Sequence, residues 1–182
     1  MHMNKWSYRA DFVVYPLLDG VALTLAFAHV TLATGASRLA EVLAGVVLWT
    51  LIEYLLHRWV LHHWQPFKGL HDAHHAHPSE FIGTPSWVSG GLFLALWAAL
   101  ATALPPATAA ALSAGLMLGY LIYAIVHDVM HHRRVRHGSW LHRAKLRHAR
   151  HHSPGAQTDF GVTTGVWDVI LGTQALSGRT HP

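Results

Sequence analysis

The fold class this sequence predicts is all-α: an integral membrane four-helix bundle carrying a histidine-rich helical cap on one face. Three observations predict it. The 182 residues are 52% hydrophobic and only 12% charged, with a mean hydropathy of +0.25, against roughly 25% charged residues in soluble domains. Four apolar stretches approach or reach the roughly 20 helical residues that cross a bilayer core. The eighteen histidines are clustered, and on the topology these stretches define the clusters share one side. At this length residues 1–182 are expected to form a single membrane domain.

Taken in order, the spans are Phe12 to Thr34, Leu39 to Leu56, Ser86 to Leu104 and Ala107 to Val126. Lys5 and Arg9 ahead of the first stretch imitate a signal peptide. Its apolar run is longer than the roughly 7–15 residues of a signal core, so it is read as a retained span, interrupted at its start by Pro16, Asp19 and Gly20. The third and fourth spans are joined by Leu104-Pro105-Pro106-Ala107, a turn that can only reverse the chain between antiparallel neighbours.

With the spans numbered this way, the N-terminus, residues 57–85 and the chain from His127 onward lie on one side. Of the thirteen Lys and Arg, all except Arg38 fall there, Arg179 included, which makes that side cytoplasmic by the positive-inside rule. The same placement accounts for the net charge of +4 and the pI near 9.8. The run from Arg133 to Arg150 reads as an anchor on anionic headgroups, so membrane and not nucleic acid is the expected partner. Zero cysteines exclude thiolate ligands and leave imidazole, with carboxylate or water, for any transition metal.

Four histidine clusters follow: HRWVLHH at 57–63, HDAHHAHP at 71–78, HDVMHH at 127–132 and HRAKLRHARHH at 142–152. His71, His74 and His75 stand at i, i+3 and i+4, as do His148, His151 and His152, so each trio shares one helical face. His127 and His131 form an i, i+4 pair. His57 and His62 are five apart, which an α-helix splays by about 140°; a π-type turn or an unwinding would bring them together. Ten imidazoles are too many for one ion and suit two, at about five each, with room for oxygen or substrate. A cytosolic dimetal site is therefore expected.

His63, His77, His132 and His142 border the clusters as additional candidate ligands, and His137 as a surface neighbour. Glu53, Asp72, Asp128 and Asp159 are read as carboxylates that orient the ligating rings through their second nitrogen. His29 reads as a hydrogen-bonded neutral imidazole in the first span, His2 and His181 as tail residues. Trp59, Trp64, Phe67, Phe81, Trp87 and Trp167 read as interfacial anchors, with the lining of an acyl tunnel as the alternative.

These residues resemble the fatty acid hydroxylase superfamily, which includes fatty acid 2-hydroxylases, sterol desaturases and carotenoid hydroxylases. The resemblance runs from His57 to Thr173 through the histidine motifs in order, with SEFIGTPSW after the second cluster and DFGVTTGVWDVILGT after the fourth. It implies a membrane-bound di-iron oxygenase that hydroxylates a lipid C–H bond, foremost on a fatty acid or fatty-acyl chain, with sterol or carotenoid hydroxylation or desaturation as the alternative. It also implies two iron ions, molecular oxygen, and electrons from cytochrome b5 or a ferredoxin and reductase; independently of it, zinc is expected as an occupant on purification, because zinc outranks ferrous iron in intrinsic affinity. The spans and clusters use up the chain, so the donor is expected to be a separate protein. Metal transport or storage is the competing reading of another class. Transporters place ligands near the bilayer midplane, where this sequence offers only Asp19, His29 and Glu53. A membrane haem would need paired histidines inside facing spans, which are absent.

Overall fold

The computed structural model describes residues 1–175; Arg179 and His181 lie outside the described residues. Helix α1 (Lys5–Tyr8) is a single turn capped by Asn4, whose side chain accepts from the Ser7 N–H at 2.8 Å. Then come α2 (Asp11–Phe27) and α3 (Leu32–Leu55), the latter continued by a π-helical stretch (Leu56–Leu61). Helix α4 (Phe67–Ala76) bears the second cluster, and α5 (Ser86–Ala103) and α6 (Pro106–His132) complete the long helices. Helix α7 (Trp140–His151) and the short α8 (Val166–Ile170) close the cap. Among the described residues, four helical segments are long and apolar enough to cross a membrane.

The first turn departs from the expected boundaries. Helix α2 ends at Phe27 instead of Thr34, and α3 begins at Leu32. Thr31 is extended, and its N–H donates to Thr34 Oγ1 at 2.9 Å, a reciprocal cap that starts a new helix there. His29 consequently sits exposed in the connection, not inside a span. At the other end α6 runs past Val126 to His132, so the third cluster extends the helix.

Helix α6 is the centre of the bundle, packing most extensively on α3 and then on α2. The α3–α6 crossing is made by small residues. A Cβ at Gly115 would lie 2.1 Å from the Val42 carbonyl oxygen, and one at Gly45 would lie 2.6 Å from that of Leu112. With no hydrophobic effect between helices in lipid, close backbone approach of this kind is what holds such a pair together. Leucines and valines such as Leu43, Val47 and Leu92 face outward, as a lipid-facing surface requires.

The N-terminus, the π-helical stretch, α4, α7 and α8 gather at one end. Met3 N–H donates to the Phe81 carbonyl at 2.9 Å, which ties the N-terminal segment to the chain entering α5. Arg38 lies at the opposite end, bonded to Glu41 at 2.5 Å and Thr108 at 2.7 Å.

Candidate metal centre

The π-helical stretch brings the first cluster into register. An i, i+5 turn sets residues five apart on one face, and the His57 and His62 rings stack with centroids 5.3 Å apart. Helix α4 offers His71 and His75 to one side and His74 to the other, and α7 does the same with His151 against His148 and His152. Two sets result: His57, His62, His71, His75 and His151, and His74, His131, His148 and His152. Within each set, one ring nitrogen per residue lies within 4.8 Å of all the others. His127 adjoins the second set, its Nε2 3.2 Å from that of His131. All ten predicted histidines thus meet at the top of the bundle, divided between two centres that share α4 and α7.

Electrostatics hold these rings neutral. Burial, and then the neighbouring imidazoles, push His62 and His75 down to about 4 and His74 and His152 down to about 3; charging one ring costs desolvation and repels the next. His71 and His148 are driven well below the ordinary histidine range by the same causes. A neutral imidazole has one N–H, and two rings spend it away from the centre. His57 Nδ1 donates to the Phe160 carbonyl at 2.5 Å and His151 Nδ1 to the Thr158 carbonyl at 2.9 Å. Their Nε2 atoms are therefore bare acceptors, yet His57 Nε2 sits 3.0 Å from His71 Nε2 and His151 Nε2 3.1 Å from His62 Nε2.

In the second set His131 Nε2 lies 2.8 Å from His148 Nε2. Neither ring nitrogen of His74, which is 6% exposed, has a hydrogen-bond partner among the described residues. Ring nitrogens crowded closer than their few protons can bridge, and orphaned buried nitrogens, are costly. A divalent cation inside each ring of Nε2 atoms removes both costs, so these residues fit a pair of metal ions of the kind that imidazole prefers.

The predicted carboxylate partners are a correction. None of Glu53, Asp72, Asp128 or Asp159 bonds a clustered ring. Asp72 is exposed and pairs with Lys68, and Asp128 takes the Arg9 guanidinium at 3.0 and 3.1 Å. Glu53 is buried and accepts the Val162 and Thr163 N–H groups at 2.7 and 2.8 Å, together with the Thr163 hydroxyl. Asp159 pairs with Arg150 at 2.9 Å. Two of the rings, His151 and His57, are instead oriented by the backbone carbonyls of Thr158 and Phe160, and of the four carboxylates Glu53 and Asp159 brace the loop that carries those carbonyls.

Asp168, which sequence reading missed, is fully buried and accepts the N–H of Phe160 and Gly161 at 2.8 and 2.9 Å and the Thr173 hydroxyl at 2.8 Å. Gly161 admits no side chain, since a Cβ there would lie 2.0 Å from the Thr164 carbonyl oxygen. The signal for both was the run DFGVTTGVWD itself, where an acid sits eight residues after Phe160.

The bordering histidines stay outside the two sets. His63 bonds the Arg58 carbonyl at 3.0 Å and is exposed, His77 lies 4.0 Å from Glu80, and His142 packs on His137 with ring centroids 4.5 Å apart. His132 packs against Tyr8 and Phe81. Trp59, Trp64, Phe67 and Trp87 are exposed at this end of the bundle, as anchors are, whereas Trp167 donates to Thr50 Oγ1 at 2.9 Å. A polar cavity of about 400 Å³, lined by His62, His75, His152, Lys68 and Asp72, opens above the site.

Comparison with known proteins places this arrangement. The fatty acid hydroxylase profile matches residues 42–173. The dihydroceramide fatty acyl 2-hydroxylase FAH2 of Arabidopsis thaliana is 34% identical over 138 residues, which are 71% of this chain and 58% of that protein. The fatty acid 2-hydroxylase of Macaca fascicularis is 31% identical over 144 residues, 71% of this chain and 38% of that protein. Among solved structures, the hydroxylase domain visible in full-length Scs7p superposes with a TM-score of 0.81 at 26% identity, covering 93% of this chain and 67% of that one. The chain thus spans about half the length of the curated relatives it matches. The family profile covers most of this chain, and the chain belongs to the fatty acid hydroxylase family.

Proposed function

We propose that this chain is a membrane-bound di-iron oxygenase that hydroxylates a C–H bond of a fatty acid or fatty-acyl lipid, using O2 and externally supplied electrons. The observation that carries the reading is the pair of neutral imidazole sets seated where the bundle ends. There they lie between the ends of helices long and apolar enough to cross a membrane and a polar opening. His57, His62, His71, His75 and His151 would hold one iron; His74, His131, His148 and His152, with His127 beside them, would hold the other. Two bound irons supply the oxidising power, drawn from O2 and two donated electrons, to break an unactivated C–H bond.

The rest falls to the protein. The Thr158 and Phe160 carbonyls fix the tautomer and tilt of His151 and His57, and the Glu53 and Asp168 carboxyl groups hold that loop still, so the ligand set is preorganised before any ion enters. The four long apolar helices would keep the lipid substrate in the membrane beside the site. The cavity between His62, His75 and His152 gives oxygen and electrons a separate entrance from the aqueous side. That side is the cytoplasm in this reading, supported by Lys68, Arg133, Arg134, Arg136 and their neighbours crowding the histidine end while Arg38 lies at the other. A transporter is disfavoured, because the imidazoles sit at the end of the bundle and not at its midplane.

The test is lipid profiling of cells making this chain or its His148→Ala variant, grown under isotopically labelled O2. The reading expects a hydroxylated acyl lipid that carries the label and is absent with the variant. Identical lipids in both cultures refute it.

A further inference from the structure

Directly beneath the second histidine set the bundle interior turns aromatic. Tyr123 stacks on His127 with centroids 5.7 Å apart and lies 6.0 Å from Tyr120. Tyr120 in turn lies 4.5 Å from Tyr15 and 5.3 Å from Trp49. Packing alone does not call for phenols here, since Phe93 fills the same cluster against Tyr15, Trp49 and Tyr120. One phenol is also paired with a base. Tyr120 OH donates to Asp11 Oδ2 at 2.7 Å, Asp11 is 7% exposed, and its Oδ1 has no hydrogen-bond partner among the described residues. A buried carboxyl group with one oxygen left without a partner is costly.

We propose that Tyr123 and Tyr120, with Asp11 as proton acceptor, form a hole-transfer chain that discharges the oxidised metal pair when no lipid C–H bond is in place. The inference rests on the di-iron reading above. A metal pair charged by O2 without a substrate would attack its own ligands, and a phenol with a waiting base is an easier target. One electron leaves Tyr120 by way of the Tyr123 and His127 rings and reduces the metal pair by one. The phenolic proton passes to Asp11 Oδ2, leaving a neutral phenoxyl radical beside a neutral carboxyl group. A further electron from the same external donor, with return of the proton from Asp11, restores Tyr120, and one such cycle is needed for each oxidising equivalent the metal pair holds. The chain thus spends donor electrons to spare the histidines.

The test uses the full chain in detergent, loaded anaerobically with ferrous iron, reduced, freed of lipid, mixed with O2 and freeze-quenched. Electron paramagnetic resonance is expected to show an organic radical whose signal narrows when the protein is made with ring-deuterated tyrosine, an assignment that needs no substitution. The signal is lost in Tyr120→Phe and reduced in Asp11→Asn. Peptide mass spectrometry then finds more oxidised histidine in Tyr120→Phe than in the unsubstituted chain. A protein that holds two irons and hydroxylates lipid but yields no radical overturns this inference and leaves the oxygenase reading standing. A radical of undiminished size in Tyr120→Phe overturns it as well. A chain that neither holds an iron pair nor oxidises lipid overturns both.

Discussion

Glu53 and Val162 are joined across 109 residues of chain by a 2.7 Å hydrogen bond from the Val162 N–H to the buried carboxyl group of Glu53. That bond and its neighbour from Thr163 dock the loop whose Phe160 carbonyl fixes His57. Glu53 touches no clustered ring, but its removal unlatches the carbonyl that one of them needs. Glu53→Ala is expected to lower metal affinity by about 10–100-fold, the usual effect of losing an outer support. It should also lower stability by about 1.5–3 kcal/mol, as for bonds to a carboxylate. Metal titration and denaturant unfolding in detergent measure the two.

The division of α7 between the two centres predicts separable losses. His151 faces the set around His57, and His148 the set around His131. His151→Ala and His148→Ala should each deplete one ion preferentially, and the double variant should bind neither. Metal analysis of desalted protein reads this directly.

The bordering histidines supply the opposite expectation. His63, His77 and His142 have their own partners or are exposed, so His63→Ala, His77→Ala and His142→Ala should leave the metal content unchanged. A drop to a single ion in any of them would redraw the ligand set.

Acid should release the metals and loosen the cap. For His62 and His75 the folded value is about 4, chiefly from burial, against about 6.5 when unfolded. Between these limits the unfolded chain binds more protons, so stability rises with pH there. The contribution is complete above about 6.5 and is lost as pH falls through about 4. Metal retention and thermal midpoint of the metal-free protein, followed from pH 7 to pH 4, should decline together.

At the α3–α6 crossing, Gly115→Leu forces apart two helices whose backbones touch, at a cost on the order of 3 kcal/mol or more. Helix α3 leads into His57 and His62, and α6 carries His127 and His131, so both centres should lose metal. An exposed control, Leu92→Ala on the lipid face of α5, should retain both. Metal analysis of the two variants distinguishes the cases.

Much of this was legible in the sequence because helical spacing dictates it. The i, i+3, i+4 trios of α4 and α7 were expected to point together, and each does turn inward while dividing between the two centres; the five-residue gap between His57 and His62 left a π-type turn or an unwinding open, and the π-helical turn is the one present. The topology, read from four apolar runs, placed the clusters together. What spacing could not supply were contacts distant in sequence. The acids beside the histidines in sequence point elsewhere in space, because adjacent residues on a helix diverge by about 100°, and so Asp128 meets Arg9 while His127 faces the centre. The ring-orienting carbonyls of Thr158 and Phe160 belong to a loop whose shape depends on Glu53, Asp168 and Gly161 jointly, and backbone acceptors leave no mark on side-chain patterns. The end of α2 was misplaced for a local reason, since the Thr31 and Thr34 cap is hidden in an otherwise apolar stretch.

Two ion sites in one chain are open to a single measurement, anaerobic titration with ferrous iron followed by metal analysis and Mössbauer spectroscopy. Two ferrous ions per chain in histidine-rich environments are expected, falling to one in His151→Ala and in His148→Ala. A single ion per chain in the unsubstituted protein, or two ions retained by both variants, would contradict the two-site arrangement.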